Sequence, residues 1–162
     1  MSNFHLRDAT QDDTPAIARL IRALAVYEKL DHLITATEAD YHAALFTTPP
    51  RAHAMVAELP GGHIAGFALY FYNFSTFLGR PGLYLEDIFV EPEHRKLGIG
   101  RAFFRALAAR AIAENCGRME WSVLDWNEPA INFYRALGAV PMDEWTVNRL
   151  TGEALNSLAQ EP

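Results

Sequence analysis

A single cysteine, Cys116, is all that the 162 residues contain. No intrachain disulfide can form, and a reducing compartment is expected. Long apolar runs are missing too: none reaches the roughly 18–20 residues that a bilayer-spanning helix requires. Met1-Ser2-Asn3-Phe4-His5 has neither the basic region nor the apolar core of a secretory leader, so the expectation is a cytoplasmic protein with no membrane partner. Positive charge is in short supply. Fourteen Lys and Arg face 20 Asp and Glu, for a net charge of −6 with His neutral. A nucleic-acid partner calls for a basic face, and none is expected here. The six histidines show no H-E-x-x-H or other tight spacing, and one cysteine cannot build a thiolate zinc site. No metal is expected on that ground.

What is present is a globular composition, with half the residues hydrophobic. The length suits one domain over residues 1–162 that buries a core without staples. A short strand at Phe4 to Ala9 precedes a helix that Asp12 or Asp13 can cap, with Pro15 in its first turn. Ile17, Leu20, Ile21, Leu24 and Tyr27 mark one face of that helix. Thr37-Glu38-Ala39-Asp40 opens a second helix, ending before Pro49-Pro50. Strands at Ala54 to Leu59 and Ile64 to Asn73 flank Pro60-Gly61-Gly62-His63 as a hairpin. Gly79-Arg80-Pro81-Gly82 reads as a turn before a strand over Leu83 to Val90. A long helix from about Gly98 to Asn115, a strand at Met119 to Leu124 and a short helix at Glu128 to Leu137 follow. Trp145 to Leu150 reads as a last strand and Gly152 to Gln160 as a terminal helix. The order is mixed α/β, an antiparallel meander leading into a βαβ crossover.

Chemistry concentrates first in Glu91-Pro92-Glu93-His94-Arg95-Lys96-Leu97-Gly98-Ile99-Gly100-Arg101, between a buried strand and a helix. Glycines admit close approach of backbone N–H groups, and a helix N-terminus offers unpaired donors with partial positive charge. The turn suits a pyrophosphate. A dinucleotide fingerprint fails because Phe103 stands at the third glycine, and a P-loop fails because no Lys-Ser or Lys-Thr pair occurs.

The second segment is Asp125-Trp126-Asn127-Glu128-Pro129-Ala130-Ile131-Asn132-Phe133-Tyr134-Arg135-Ala136-Leu137-Gly138-Ala139. With Arg95-Lys96-Leu97-Gly98-Ile99-Gly100 it resembles the two cofactor-contacting motifs of the GNAT superfamily of acetyl-CoA-dependent N-acetyltransferases. Tyr84-Leu85-Glu86-Asp87-Ile88-Phe89-Val90, the Trp126-to-Tyr134 run and Tyr27-Glu28 resemble its diamine and thialysine branch, which includes spermidine/spermine N-acetyltransferase. The resemblance implies the GNAT fold, a twisted mixed sheet of about six to seven strands with splayed central strands and flanking helices. It implies acetyl-CoA as cosubstrate and contacts from Ile88, Phe89, Val90, the run Arg95, Lys96, Leu97, Gly98, Ile99, Gly100 and Arg101, and Asn127, Glu128, Pro129, Ala130, Asn132 and Tyr134. It further implies a homodimer, whose subunits meet near the active sites. The aromatic Phe67 to Phe77 stretch, one face of which needs cover, adds to that expectation.

Acetyl transfer to an amine needs a neutral nucleophile, a donor for the tetrahedral oxyanion and a proton for the departing thiolate. By resemblance Tyr134 aligns with the family's tyrosine that approaches the cofactor sulfur, which makes it the candidate acid; its alternative role is as part of an aromatic helix face. Glu86 lies between Leu85 and Ile88 in an apolar strand, and burial would raise its pKa toward that of a useful base acting through water. Its alternative is an ion-paired structural carboxylate. Asp87 points to the opposite face by strand alternation, so the two acids serve one site only if a bulge intervenes. Asn127 and Asn132 are placed for the pantetheine arm, and Asn127 can also cap the helix at Glu128-Pro129. By resemblance the amine is met by Tyr27, Glu28, Glu86, Glu120, Trp121, Ser122 and Asp143. Asp143-Glu144-Trp145 departs from the family's Glu-Gly-Trp, so the resemblance fixes the reaction more closely than the amine.

The expected activity is acetylation of a primary amine on a small diamine, polyamine or lysine-like substrate by direct attack. A protein or peptide amine acetyltransferase and a noncatalytic acyl-CoA-binding module are the alternatives.

Overall fold

The computed structural model describes residues 3–161. The chain forms two compact units, Met1–Ser122 and Val123–Pro162. In the first, β1 (His5–Asp8), β2 (His53–Glu58), β3 (Ile64–Ser75), β4 (Arg80–Val90) and β5 (Met119–Trp121) form one sheet in the order β1-β2-β3-β4-β5. The first four strands are antiparallel neighbours. β5 joins β4 in parallel, after the crossover through α3 (Ile99–Ala113). The sheet has five strands among the described residues, rather than six or seven.

Helix α1 (Thr14–Glu28) buries Ile17, Leu20 and Leu24 against Val56, Phe67 and Phe89 of the sheet. Its expected cap takes a different partner. The Asp13 carboxylate receives Arg7 Nη1 at 2.6 Å and the Thr10 N–H at 2.7 Å, and makes no cap bond to α1. Arg7 holds the Asp13 carboxyl below the usual carboxylate range. Helix α2 (Glu38–Phe46) does open with a capping box: Asp40 N–H donates to Thr37 Oγ1, and Thr37 N–H donates back to Asp40 Oδ2 at 2.8 Å. The turn before β4 spans 76–79, and β4 already begins at Arg80.

On the other face α3 buries Ile99, Phe103, Phe104, Leu107 and Ala111. Arg110 donates to the Tyr70 hydroxyl and to Asp8 Oδ1, fastening α3 to β3 and β1. Leu83 and Leu85 of β4 pair with Tyr72 and Tyr70, and cross-strand partners share a face. These residues therefore line the α3 side.

In the second unit α4 (Glu128–Ala136) and α5 (Gly152–Leu158) are helical. The segment Trp145 to Leu150, expected as a strand, is irregular, with Trp145 69% and Val147 84% exposed. Its alternating side chains fit a pleated surface, but a strand exists only where a neighbour pairs its backbone.

Candidate active site

The register of β3 and β4 shifts within the site. Tyr70 pairs with Leu85 and Leu69 with Asp87, so Glu86 is an extra residue without a partner opposite. Such a bulge changes which side chains share a face. Before it, Leu83 and Leu85 lie on the α3 side with Tyr70 and Tyr72. After it, Asp87 and Phe89 lie with Leu69 and Phe67 on the side that α1 covers. Simple alternation would have kept 83, 85, 87 and 89 on one face. The condition for both acids to serve one site is thus met.

The bulge also corrects the expected burial. Glu86 is exposed, whereas Asp87 is half-buried. Burial, then the neighbouring carboxylates of Glu86 and Glu28, push the Asp87 carboxyl up to about 6, with no cation among the described residues offsetting them. Glu28, the last residue of α1, is raised by burial as well. Tyr41 of α2 feels the Asp87 charge and is raised chiefly by burial. Asp87 and Tyr41 are the members that sequence reasoning left out. A visible signal was the adjacent pair Glu86-Asp87 inside an apolar strand, which unbulged alternation cannot accommodate on one polar face.

Beyond Leu85, β4 runs free of β5, whose pairing ends at Leu85–Trp121. That divergence is the expected splay. The Glu91 N–H donates to Ala65 of β3 at 2.9 Å, and alternation then turns the N–H groups of Ile88 and Val90 away from β3, toward the opened edge. The Phe89 amide faces β3, so its backbone donor belongs to the ladder and its ring to the α1-side core.

After β4 a 3-10 turn at Pro92–His94 leads into the loop. Lys96 and Gly98 have φ of 72° and 85°. Gly98 is the N-cap of α3 and provides no side-chain cap; the first intrahelical bond runs from Ala102 N–H to Gly98 O at 3.0 Å. The N–H groups of Ile99, Gly100 and Arg101 are therefore outside the helical ladder. A Cβ on Gly98 would meet nothing within 4 Å, so the space beside it is open. Leu97, Lys96 and Arg101 are exposed. These features fit a pyrophosphate held mainly by backbone donors. Arg95 is different. Its guanidinium sits 5.0 Å over Tyr27 and 5.7 Å over Phe89, and its Nε donates to Val90 O at 3.2 Å. It straps the loop to α1 and β4.

At β5, Glu120 accepts from Asn73 Nδ2 at 3.0 Å and from Arg118 Nε at 2.8 Å, a structural pairing. Trp121 meets Phe104 edge-on at 4.9 Å, and Ser122 Oγ is 2.9 Å from Tyr84 OH.

In the second unit Asn127 is buried and caps α4, its Oδ1 accepting from Ala130 N–H at 3.4 Å. Pro129 stands in the first turn, and Gly138, at φ 91°, follows the helix. Tyr134 is half-buried beside Phe133, with ring centroids 5.7 Å apart. Glu128, Asn132 and Asp143 are exposed, Ala130 half-buried.

The Acetyltransferase (GNAT) family pattern matches residues 15–139, and the chain belongs to that family. It is 37% identical over 169 residues to the thialysine N-epsilon-acetyltransferase of Mus musculus, covering 98% of this chain and 99% of that one. The L-ornithine N5-acetyltransferase of Arabidopsis thaliana is 34% identical, over 94% of this chain and 86% of its own. Among solved structures, an integron cassette protein from V. cholerae superposes with a TM-score of 0.81 at 27% identity, over 99% of both chains. The chain is an acetyl-CoA-dependent amine N-acetyltransferase, of the branch that its motifs resemble.

Two predictions follow from this geometry. Gly98→Val should weaken acetyl-CoA binding by calorimetry about tenfold or more, because a side chain on this left-handed residue blocks approach to the backbone donors. Gly61 has a comparable φ of 94° in open space at the β2–β3 hairpin, so Gly61→Val carries similar strain and should leave binding unchanged. Equal losses in both variants would contradict the pyrophosphate assignment. The second concerns Asp87. Between its ordinary value of 3.8 and about 6 the folded chain binds the extra proton, so this group's contribution to stability declines as pH rises through that window. Asp87→Asn should therefore gain about 1–3 kcal/mol in urea unfolding at pH 7, and the gain should shrink toward pH 4. A gain independent of pH would point to a packing cause instead.

Proposed function

We propose that the acceptor is a small diamine, polyamine or lysine-like amine, received at the Glu28–Glu86–Asp87 carboxylates. The observation that carries this is the raised Asp87 carboxyl, crowded by Glu86 and Glu28. An ammonium group placed there relieves the repulsion. The thialysine and ornithine acetyltransferases among the relatives act, by their names, on amines of this kind.

Acetyl-CoA supplies the thioester. The reacting nitrogen must lose a proton, and in this reading Glu86, exposed at the bulge, takes it through water. The nitrogen lone pair then forms the C–N bond at the carbonyl carbon, and the second proton on nitrogen passes to water as the neutral amide forms. The N–H groups of Ile88 and Val90 are the oxyanion and pantetheine donors in this reading, and Asn127 and Asn132 serve the pantetheine arm. As the C–S bond breaks, the Tyr134 hydroxyl gives its proton to the thiolate and is restored from solvent.

The protein works in the cytoplasm as a homodimer in this reading. One cysteine, the absence among the described residues of a helix long and apolar enough to cross a membrane, and family resemblance support it. Exposed Phe74 near the end of β3, and Phe77 and Leu78 in the turn that follows, provide apolar surface for a subunit contact. A monomer by sedimentation at micromolar concentration, fully active, would contradict the dimer.

The deciding experiment is free-thiol release from acetyl-CoA across diamines, monoamines and peptide amines. Diamines and lysine-like amines should be the best acceptors, and Glu28→Gln should raise KM for diamines more than for monoamines, by roughly tenfold. Preference for peptides would overturn the small-amine reading, and no turnover with any amine would favour a binding module. Tyr134→Phe should lower kcat about 10²-fold with little change in KM for acetyl-CoA. The loss should shrink with an acyl donor of more acidic thiol; a loss independent of the donor would make Tyr134 a positioning residue.

A further inference from the structure

Where β4 ends, Glu91 is a buried carboxylate, 7% exposed, with three basic side chains around it. Arg19 of α1 bonds Oε1 and also donates to Ile64 O at 2.8 Å. The other oxygen, Oε2, lies 2.6 Å from His63 Nε2 and 3.6 Å from His94 Nε2. His63 comes from the β2–β3 hairpin and His94 from the turn after β4. The two rings are 5.7 Å apart, and the three donor atoms lie within 4.8 Å of one another.

We infer that His63, Glu91 and His94 form a binding site for a divalent transition-metal ion, with water completing the coordination. Two imidazole nitrogens and one carboxylate oxygen suit Zn²⁺, Co²⁺ or Ni²⁺, whereas Ca²⁺ and Mg²⁺ prefer an all-oxygen set. Tetrahedral coordination with bonds of about 2.0–2.1 Å places ligand atoms roughly 3.4 Å apart. The observed 2.6 Å and 3.6 Å bracket that spacing and the third pair lies within 4.8 Å, so the adjustment required is at most about 1.4 Å. His63, its side chain half exposed on a hairpin, has the freedom to make it. Arg19 acts as an outer partner: by holding Oε1 it orients the carboxylate and leaves Oε2 for the ion. Its charge opposes a dication, which makes this a weaker site than a closed four-ligand one.

The exposed side of the cluster supplies access and room for water. The ligands come from a hairpin and from the turn that opens into the Arg95 to Arg101 loop, so an ion joins segments far apart in sequence. None of the three carries a role in the acetyl transfer described above, and the site stands whether or not the amine assignment does.

The test is titration of the untagged protein with Co²⁺ and Zn²⁺, read by visible absorption and calorimetry. One-to-one saturation is expected, weakened about tenfold or more in His63→Ala and in His94→Ala and abolished in the double variant. His42→Ala, on α2 beside Phe46, should bind as the parent does. Zn²⁺ should also raise the Tm of the parent and of His42→Ala but not of the double variant, because only the folded chain assembles the three ligands. Arg19 still pairs Glu91 when both imidazoles are removed, so the double variant is expected to fold, which circular dichroism checks. Failure of the parent to saturate, or an unchanged isotherm in the folded double variant, would overturn the site.

Discussion

An antiparallel ladder keeps its two faces distinct only while both strands spend residues at the same rate. β4 spends one more than β3, at Glu86, and the active site depends on that mismatch. It lets one strand supply Leu83 and Leu85 to the α3 face and Asp87 and Phe89 to the α1 face. It also brings two adjacent acids to one end of the strand, with Glu28 of α1 close enough to raise the Asp87 carboxyl. An unbulged strand would bury Asp87 beside Tyr70 under α3, where a carboxylate has no use.

The same stretch prepares the cofactor end. Once β4 parts from β5 after Leu85, its edge amides at Ile88 and Val90 have no strand to pair with among the described residues. Two turns later, left-handed Lys96 and Gly98 swing the chain into α3 with its first N–H groups uncapped. Donors left out of secondary structure in two consecutive places are costly in an ordinary fold. In the proposed reading they are the contacts that a thioester arm and a pyrophosphate require. The net charge of −6 does not conflict with an anionic cosubstrate, because the attraction is local and mostly carried by the backbone.

Much of this was legible from residue order. The caps at Thr37 and Asn127, the glycine stop at Gly138 and the apolar periods of α1 and α3 follow from local chemistry, and the structure keeps them. What could not be read depends on partners outside the residue's own helix or strand. Asp13 looks like a cap until Arg7 is placed beside it. Glu86 looks buried because its neighbours are apolar, and only the register against β3 exposes it while half-burying Asp87. Trp145 to Leu150 has strand-like alternation but lacks a strand's hydrogen-bonded neighbour. The histidines lack close spacing, yet a hairpin and a strand end bring His63 and His94 to the same carboxylate.

The central claim is that burial and its acidic neighbours hold the Asp87 carboxyl above its ordinary value until an amine arrives. Carbon-detected NMR of the Asp87 carboxyl, titrated with and without a saturating diamine, measures it directly. The account predicts a midpoint of about 6 in the free enzyme, falling toward the ordinary carboxylate value when the diamine binds. A midpoint near 3.8 in the free enzyme, or one that the diamine leaves unmoved, would contradict it.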